Sequence, residues 1–381
     1  MKVYLDNGAT TRTDPEVVDI MLPFFTEHYG NASSLHGHGD TAAQALQKAR
    51  ETVGRKINAS ADEIIFTSGG TESDNLAIKG LAYENKGRKD HIITSKIEHP
   101  AVINTCKQLE KEGFRVTYQD VDKEGFINPK DVEKSITDKT FLVSIMHANN
   151  EIGTIEPIEE IARICKRHNV IFHTDAVQSF GKVPIDVRQT NIDLLSASAH
   201  KIHGPKGIGM LYVKKGVKLQ RISDGGGQEF KLRAGTENVV GAVGFAKAVE
   251  LAKESDCIDM AALRDKLIKG LLEIPDTVLN GPREKRLCNN VNISFKHVEG
   301  ESLLFMLNDH GIEVSTGSAC SSKSLEPSYV LLAIGLKHEV AHGSIRFTLS
   351  KYTTEEEINY TIRTVKEIVE KLRSISPLQV E

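Results

Sequence analysis

An excess of basic residues is the first thing this sequence lacks: 48 Lys and Arg face 52 Asp and Glu, a net charge of −4. Without that excess there is no electrostatic footprint for nucleic acid, so a small molecule or a protein partner is the better expectation. No apolar run approaches the roughly 20 residues needed to cross a bilayer. The opening "MKVYLDNGATTRTD" also lacks the charged, apolar and cleavage segments of a secretion signal, so a cytoplasmic protein is expected. Cysteine is sparse: five residues (Cys106, Cys165, Cys257, Cys288, Cys320), an odd number with no CxxC pair. That spacing excludes a disulfide framework and a structural zinc site, and reduced thiols are expected. Cys106 and Cys165 sit in helical patterns, "INTCKQLEK" and "IARICKRH", as packing residues would.

The composition, 39% hydrophobic and 26% charged over 381 residues, is that of a folded globular chain too long for a single core. From about residue 60 to 215, β-rich runs alternate with helical patterns: "EIIFTS", "HIITS", "FRVTYQ", "FLVSIM", "VIFHTDA", "DLLSASA" and "IGMLYV". This alternation predicts an α/β domain with a largely parallel sheet, whose ligands gather at the carboxyl ends of the strands. Residues 240–274 read as helix. Beyond them "NNVNISF", "IEVSTG" and "GSIRFTLS" read as strands, with helices at "GESLLFMLNDH" and "TTEEEINYTIRTVKEIVEKLRS". The expected division is an N-terminal arm (1–15) associated with the small domain, a large domain (16–254) and a smaller α+β domain (255–381). "HGHG" at 36–39 reads as a loop without the further ligands a metal site needs.

Three stretches carry chemistry. In "FTSGGTESDNLAIKG" a strand ends in Ser68-Gly69-Gly70 and a helix begins at Thr71, whose spacing to Asp74 resembles a capping box. Bare glycine amides there favour a phosphate, although an ordinary capped helix fits the same residues. In "VIFHTDAVQSFGKVPIDVRQTNIDLLSASAHKIHGPKGIG", Asp175 and Gln178 follow one strand, and Ser198, His200 and Lys201 follow the next. If adjacent strands deliver them, a carboxylate, an amine and several donors share one pocket, a set that suits pyridoxal phosphate. Taken alone, the same residues also fit a surface lysine and a helix-capping aspartate. In "STGSACSSKS" (315–324), Cys320 stands among small and hydroxylated residues with hardly an apolar anchor, so an exposed, mobile loop is expected.

Together with "YLDNGATT" (4–11), "EHPAV" (98–102), "HANNEIG" (147–153), "RAGTENV" (233–239) and "STGSACSSKSLEPSYVLLAIGL" (315–336), these motifs resemble the NifS/IscS family of cysteine desulfurases. That family lies within the class V, fold type I pyridoxal-phosphate enzymes. The resemblance implies an aspartate-aminotransferase-like large domain, with a mostly parallel seven-stranded sheet and a smaller C-terminal α+β domain. It implies that Lys201 holds pyridoxal 5′-phosphate as a Schiff base, that Asp175 pairs with the ring nitrogen, and that His99 stacks on the ring and relays protons. It places Gln178 and Asn150 on the phenolic oxygen, and Gly70, Thr71, Ser198 and His200 on the phosphate. Thr236 would reach in from the second subunit of a homodimer. Arg346, with Asn150 nearby, would bind the carboxylate of L-cysteine, a task suited to guanidinium. Cys320, on a loop of about 315–327, would take the substrate sulfur as a persulfide and release alanine. It would then pass sulfur to an iron-sulfur scaffold protein of the IscU type, to tRNA-thiolating partners or to other acceptors, and could transiently ligate a cluster shared with the scaffold. A selenocysteine lyase or related lyase on the same fold is the alternative. "GNASS" lacks a proline usual in the family, Gly70 stands where alanine is common, and Lys323 stands where a small residue is usual. The last alters the charge beside the sulfur donor.

Overall fold

In the computed structural model, residues 1–316 and 327–375 are described. Cys320 and Lys323 lie outside them. The first strand to form from the N-terminus is β1 (Val3–Tyr4). The α/β alternation then gives β2 (Ile64–Thr67), β3 (His91–Ser95), β4 (Arg115–Gln119), β5 (Thr140–Ser144), β6 (Ile171–Asp175), β7 (Leu194–Ser198) and β8 (Gly209–Val213). These seven make one sheet in the order β2-β8-β7-β6-β5-β3-β4, in which only β8 runs against its neighbours. Most of these strands are buried along their whole length, as expected where helices cover both faces of a sheet. The helices Gly37–Arg55, Ile158–Arg167 and Val239–Leu251 pack on one face, around Val53, Ile161 and Phe245. The helices Gly70–Asn85 and Pro100–Lys111 pack on the other, around Leu76, Val102 and Leu109.

The C-terminal part contributes β9 (Thr277–Leu279), β10 (Asn290–Phe295), β11 (Ile312–Glu313) and β12 (Ser344–Thr348). β12, β10 and β9 form an antiparallel sheet, and the helices Glu254–Leu272, Gly300–Asp309 and Glu355–Ile375 close a second core with it. β1 pairs in parallel with β11, so Val3 and Leu5 are buried in this second core. The long helical reading of 240–274 is broken in two: Ala252 leaves the helical region at φ −78°, ψ 97°. "HGHG" is not a loop. His36 caps a helix by accepting from Gly39 N at 3.2 Å, and the glycines that suggested a loop form its first turn.

One edge of the large sheet is closed by charge. Ile64 and Phe66 turn the same side of β2 away from β8, and in an edge strand that side needs partners. Arg50 donates to the Ile64 carbonyl, and Phe66 N donates to Glu229 Oε2 at 2.8 Å. The two side chains then meet bidentately at 2.7 and 2.8 Å, both almost wholly buried. Removing one partner of such a pair strands a buried charge. Arg50→Ala is therefore expected to destabilise the fold by about 3–5 kcal/mol, read as a lower urea midpoint at unchanged m-value.

Candidate functional site

A cavity of about 320 Å3 opens at the carboxyl ends of the parallel strands and reaches across to β12. Its lining includes Gly70, Thr71, His99, Asn150, Asp175, Gln178, Ser198, His200, Lys201 and Arg346, ten of the twelve residues expected to form a site. The topology explains the convergence. Asp175 is the last residue of β6, Ser198 the last of β7, and Lys201 ends the tight turn that follows. His99 caps the helix after β3, and Gly70 opens the helix after β2.

Local geometry gives each group a state. His99 Nδ1 accepts from Ala101 N at 3.1 Å, so the neutral ring carries its proton on Nε2. Burial holds its pKa below the ordinary value, opposed by Asp175 and assisted by Lys201. For Asp175, burial raises the pKa, while His99, the Val177 amide at 2.8 Å and Lys201 pull it down. His200 is pushed down to about 4, by burial first and then by Lys201, so it is a neutral donor or acceptor beside Thr10. The Lys201 amine lies on the carbonyls of Gly8 and Ala9 at 2.5 and 2.8 Å, and the side-chain amide of Gln178 donates to the same Gly8 carbonyl at 3.0 Å.

The helix Gly70–Asn85 is not started by a capping box. Its N-cap is Gly69, at a φ of 156° that side chains rarely adopt, and no side chain caps it. Thr71 and the buried Asp74 both line the cavity, and Glu72 instead takes the Ser68 amide at 2.6 Å. The first amides of this helix therefore keep their capacity for an anion, which the helix dipole reinforces. Gly70 has its own reason to be glycine: a Cβ there would come within 2.5 Å of Val177 Cγ2.

Arg346 is 3% exposed, pairs with Asp6 Oδ1 at 2.9 Å and donates to the Asn150 carbonyl at 3.1 Å. Its Nε is buried without a hydrogen-bond partner. Such a donor is costly unless something occupies it. Thr236 is exposed and absent from the lining, although Arg233 ties its segment to Glu72, in the first turn of the helix Gly70–Asn85, at 2.9 Å. Cys320 lies outside the described residues.

Sequence reasoning missed three contributors: Asp6, which holds Arg346, and the Gly8 and Ala9 carbonyls, which hold Lys201. All lie in "YLDNGATT", and its lack of periodicity was the available sign that it forms a wall instead of an element. It also missed a buried carboxylate layer. Asp74, buried in the cavity lining, has one oxygen that accepts no hydrogen bond and faces His173 Nε2 at 3.6 Å, and burial followed by the Asp175 charge raises its pKa well above the ordinary value.

Next to His99, Glu98 Oε1 accepts from Ser95 Oγ at 2.7 Å and Met146 N at 3.0 Å. Burial pushes its carboxyl up to about 8, against those two bonds. The folded chain thus keeps a proton that the unfolded chain releases above about 4.5. This contribution is complete below that value and is lost as pH rises through about 8. Glu98→Gln is expected to flatten the fall in unfolding free energy across this range, by at most about 1.4 kcal/mol per pH unit. Denaturant titrations at several pH values measure it; an unchanged slope would mean Glu98 is ionised in the fold.

Comparison with known proteins gives a consistent family. Residues 3–361 match the model of the aminotransferase class-V family. The chain is 55% identical to the cysteine desulfurase IscS of Clostridium botulinum, over 99% of this chain and 96% of that protein. Among solved structures, a NifS-like protein superposes with a TM-score of 0.92 at 43% identity, covering 97% of this chain and all of that one. A second, SspA in complex with cysteine, gives 0.84 at 38% identity, covering 93% of this chain and 100% of that one.

Proposed function

The chain belongs to the class-V aminotransferase family and, within it, to the cysteine desulfurases; from that premise we propose a pyridoxal-phosphate-dependent conversion of L-cysteine to L-alanine with sulfur passing to Cys320. The observation that carries the reading is the meeting, in one cavity, of Lys201, Asp175 and His99 with an uncapped helix N-terminus and an arginine whose Nε lacks a partner. The residues present fit the cofactor. The first amides of the helix Gly70–Asn85, with Thr71, Ser198 and His200, suit its phosphate. His99 suits its ring face, Gln178 and Asn150 its phenolic oxygen, and Lys201 its aldehyde carbon. Asp175, with Oδ1 committed to Val177 N, offers Oδ2 to a protonated ring nitrogen. When bound, pyridoxal phosphate supplies an electron sink that makes the substrate Cα–H acidic.

The work of the chain's own groups follows. Arg346 binds the substrate carboxylate through its fork, which fixes the Cα proton toward Lys201. Lys201, freed by substrate, takes that proton, and the carbonyls of Gly8 and Ala9 define where its amine rests beforehand. His99, neutral and protonated on Nε2, can pass a proton at the substrate side. Cys320 acts as thiolate: it attacks the substrate sulfur, the S–S bond forms as the carbon–sulfur bond breaks, and the carbon skeleton leaves as alanine. The loop composition suits a carrier that collects sulfur and delivers it elsewhere. We assign delivery to an iron-sulfur scaffold protein of the IscU type and other thiol acceptors, within a cytoplasmic homodimer in which Thr236 completes the partner's phosphate site. No described helix is long and apolar enough to cross a membrane. The test is mass spectrometry of the purified protein after addition of L-cysteine. One additional sulfur on the Cys320 peptide, removed by reductant, is expected; sulfide and alanine released with every cysteine unmodified would overturn the reading.

A further inference from the structure

Ser315 and Ser328 flank the stretch that carries Cys320, five residues before it and eight after it in the sequence. Both flanks are tied to the site. At the first, Ser315 N donates to the Arg346 carbonyl at 3.2 Å and Arg346 N returns a bond to the Ser315 carbonyl at 2.7 Å. At the second, the Ser328 hydroxyl donates to Glu151 Oε2 and the Tyr329 hydroxyl donates to the Glu98 carbonyl. Glu151 follows Asn150, and Glu98 precedes His99. Ser328 Oγ also accepts from Val330 N at 3.1 Å, so one side chain both caps the helix Tyr329–Ala333 and fastens it to the large domain. Apolar packing agrees. Val330, Leu331 and Ile334 are buried in a small core of their own with Ile97, Met146 and Ile152, which lie in the two segments that bear His99 and Asn150. Those segments are joined in turn, because the Asn149 side chain donates to the Ile97 carbonyl at 2.8 Å.

Resting on the desulfurase reading above, we propose that Ser328 and Tyr329 are positioning residues for sulfur transfer: they fix the point from which Cys320 reaches the substrate sulfur, and they act after the substrate is bound and its Cα proton removed. Packing alone does not account for them. Tyr329 keeps 40% of its surface exposed, so its ring adds little to the core, while its hydroxyl reaches the backbone beside His99. The Ser328–Glu151 bond, by contrast, joins two almost wholly buried side chains, where water cannot replace it. The gain is one of effective concentration. A tethered group meets its target less often as the free chain lengthens, roughly as the −3/2 power of its length. With the anchor at Ser328, eight residues separate it from Cys320; release as far as Leu336 makes sixteen. That doubling lowers the local thiol concentration by roughly threefold. Earlier steps have separate supports: Lys201 rests on the Gly8 and Ala9 carbonyls, His99 is held by Ala101 N, and Arg346 is held by Asp6.

The experiment mixes L-cysteine rapidly with holoenzyme of the wild-type chain, of Tyr329→Phe, and of Tyr329→Phe combined with Ser328→Ala. Two signals are followed: the change in cofactor absorbance as substrate enters, and the sulfur gained by the Cys320 peptide in samples quenched at intervals and weighed by mass spectrometry. The absorbance change should keep its wild-type rate and amplitude throughout. Sulfur arrival on Cys320 should slow by about threefold or more in the double variant and by less in Tyr329→Phe. If the double variant is not recovered folded, Tyr329→Phe, which keeps the ring, must still show the split. Two results overturn the proposal: sulfur arriving at the wild-type rate in the variants, or both signals slowing together, which is what a general loosening of the site would give. The wild-type sample separates this failure from that of the underlying reading. An absorbance change there without sulfur on Cys320 would remove the persulfide route itself, and the positioning role with it.

Discussion

Alanine formation from L-cysteine is expected to fall by roughly a thousandfold or more when Lys201 is replaced by alanine. The argument rests on what surrounds the amine. Lys201 ends a turn fixed between β7 and β8, and its amine rests on two backbone carbonyls of the N-terminal arm. Among the described residues no other lysine lines this cavity to take over the proton. Two losses should coincide: the covalent hold on the cofactor and the base at Cα. Steady-state alanine production measures the second. Borohydride reduction followed by peptide mapping measures the first, with a pyridoxyl adduct on Lys201 in the wild-type chain and none in the variant. The thermal midpoint should change little, because the side chain is only partly buried. A variant within tenfold of wild type would remove Lys201 from the mechanism. A wild-type chain without an adduct would favour a non-catalytic platform that keeps only the fold.

The second large effect concerns Cys320→Ala. If the loop thiol is the sulfur acceptor, cysteine-dependent sulfide release should drop by about a hundredfold or more, and neither Cys106 nor Cys165 should gain sulfur. Cys106 and Cys165 are fully buried, with thiols pushed up to about 12 mainly by burial, so neither is a reactive substitute. Selenocysteine provides the contrast, since its selenium leaves more readily than sulfur and a lyase need not use a thiol acceptor. Loss of cysteine turnover with selenocysteine turnover retained identifies the persulfide route. Retention of both activities would make the chain a lyase.

The large sheet was legible because most of its strands are β-rich runs bounded by turn residues, and burial on both faces leaves that pattern uninterrupted in all but the edge strand β4. The convergence of Asp175, Ser198 and Lys201 was legible for a related reason: neighbouring parallel strands end on the same side. β9 was not seen. It is three residues long with only partial burial, so periodicity had nothing to act on. The start of the helix at Gly70 was misread because Thr71 and Asp74 carry capping-box spacing, yet both side chains line the cavity and neither caps the helix. The Asp6–Arg346 pair joins residues 340 positions apart. No local pattern announces such a contact; it exists because β1 joins the C-terminal core and carries "YLDNGATT" past the cavity.

The charge-closed edge at β2 has a consequence for the order of synthesis. Phe66 and the carboxylate that receives its amide are 163 residues apart. β8, which covers the other side of β2, also comes late, at Gly209–Val213. At 5–20 residues per second, a ribosome needs roughly 8–33 s to travel from Phe66 to Glu229. For all of that interval "IIFT" is without Glu229, and until the chain reaches Gly209–Val213 it is without β8 as well. A finished molecule presents a fixed ion pair to any chain that would add a strand there, whereas an unfinished one presents an apolar segment with unpaired backbone. It is the growing chain, not the completed fold, whose β2 edge is open to an added strand.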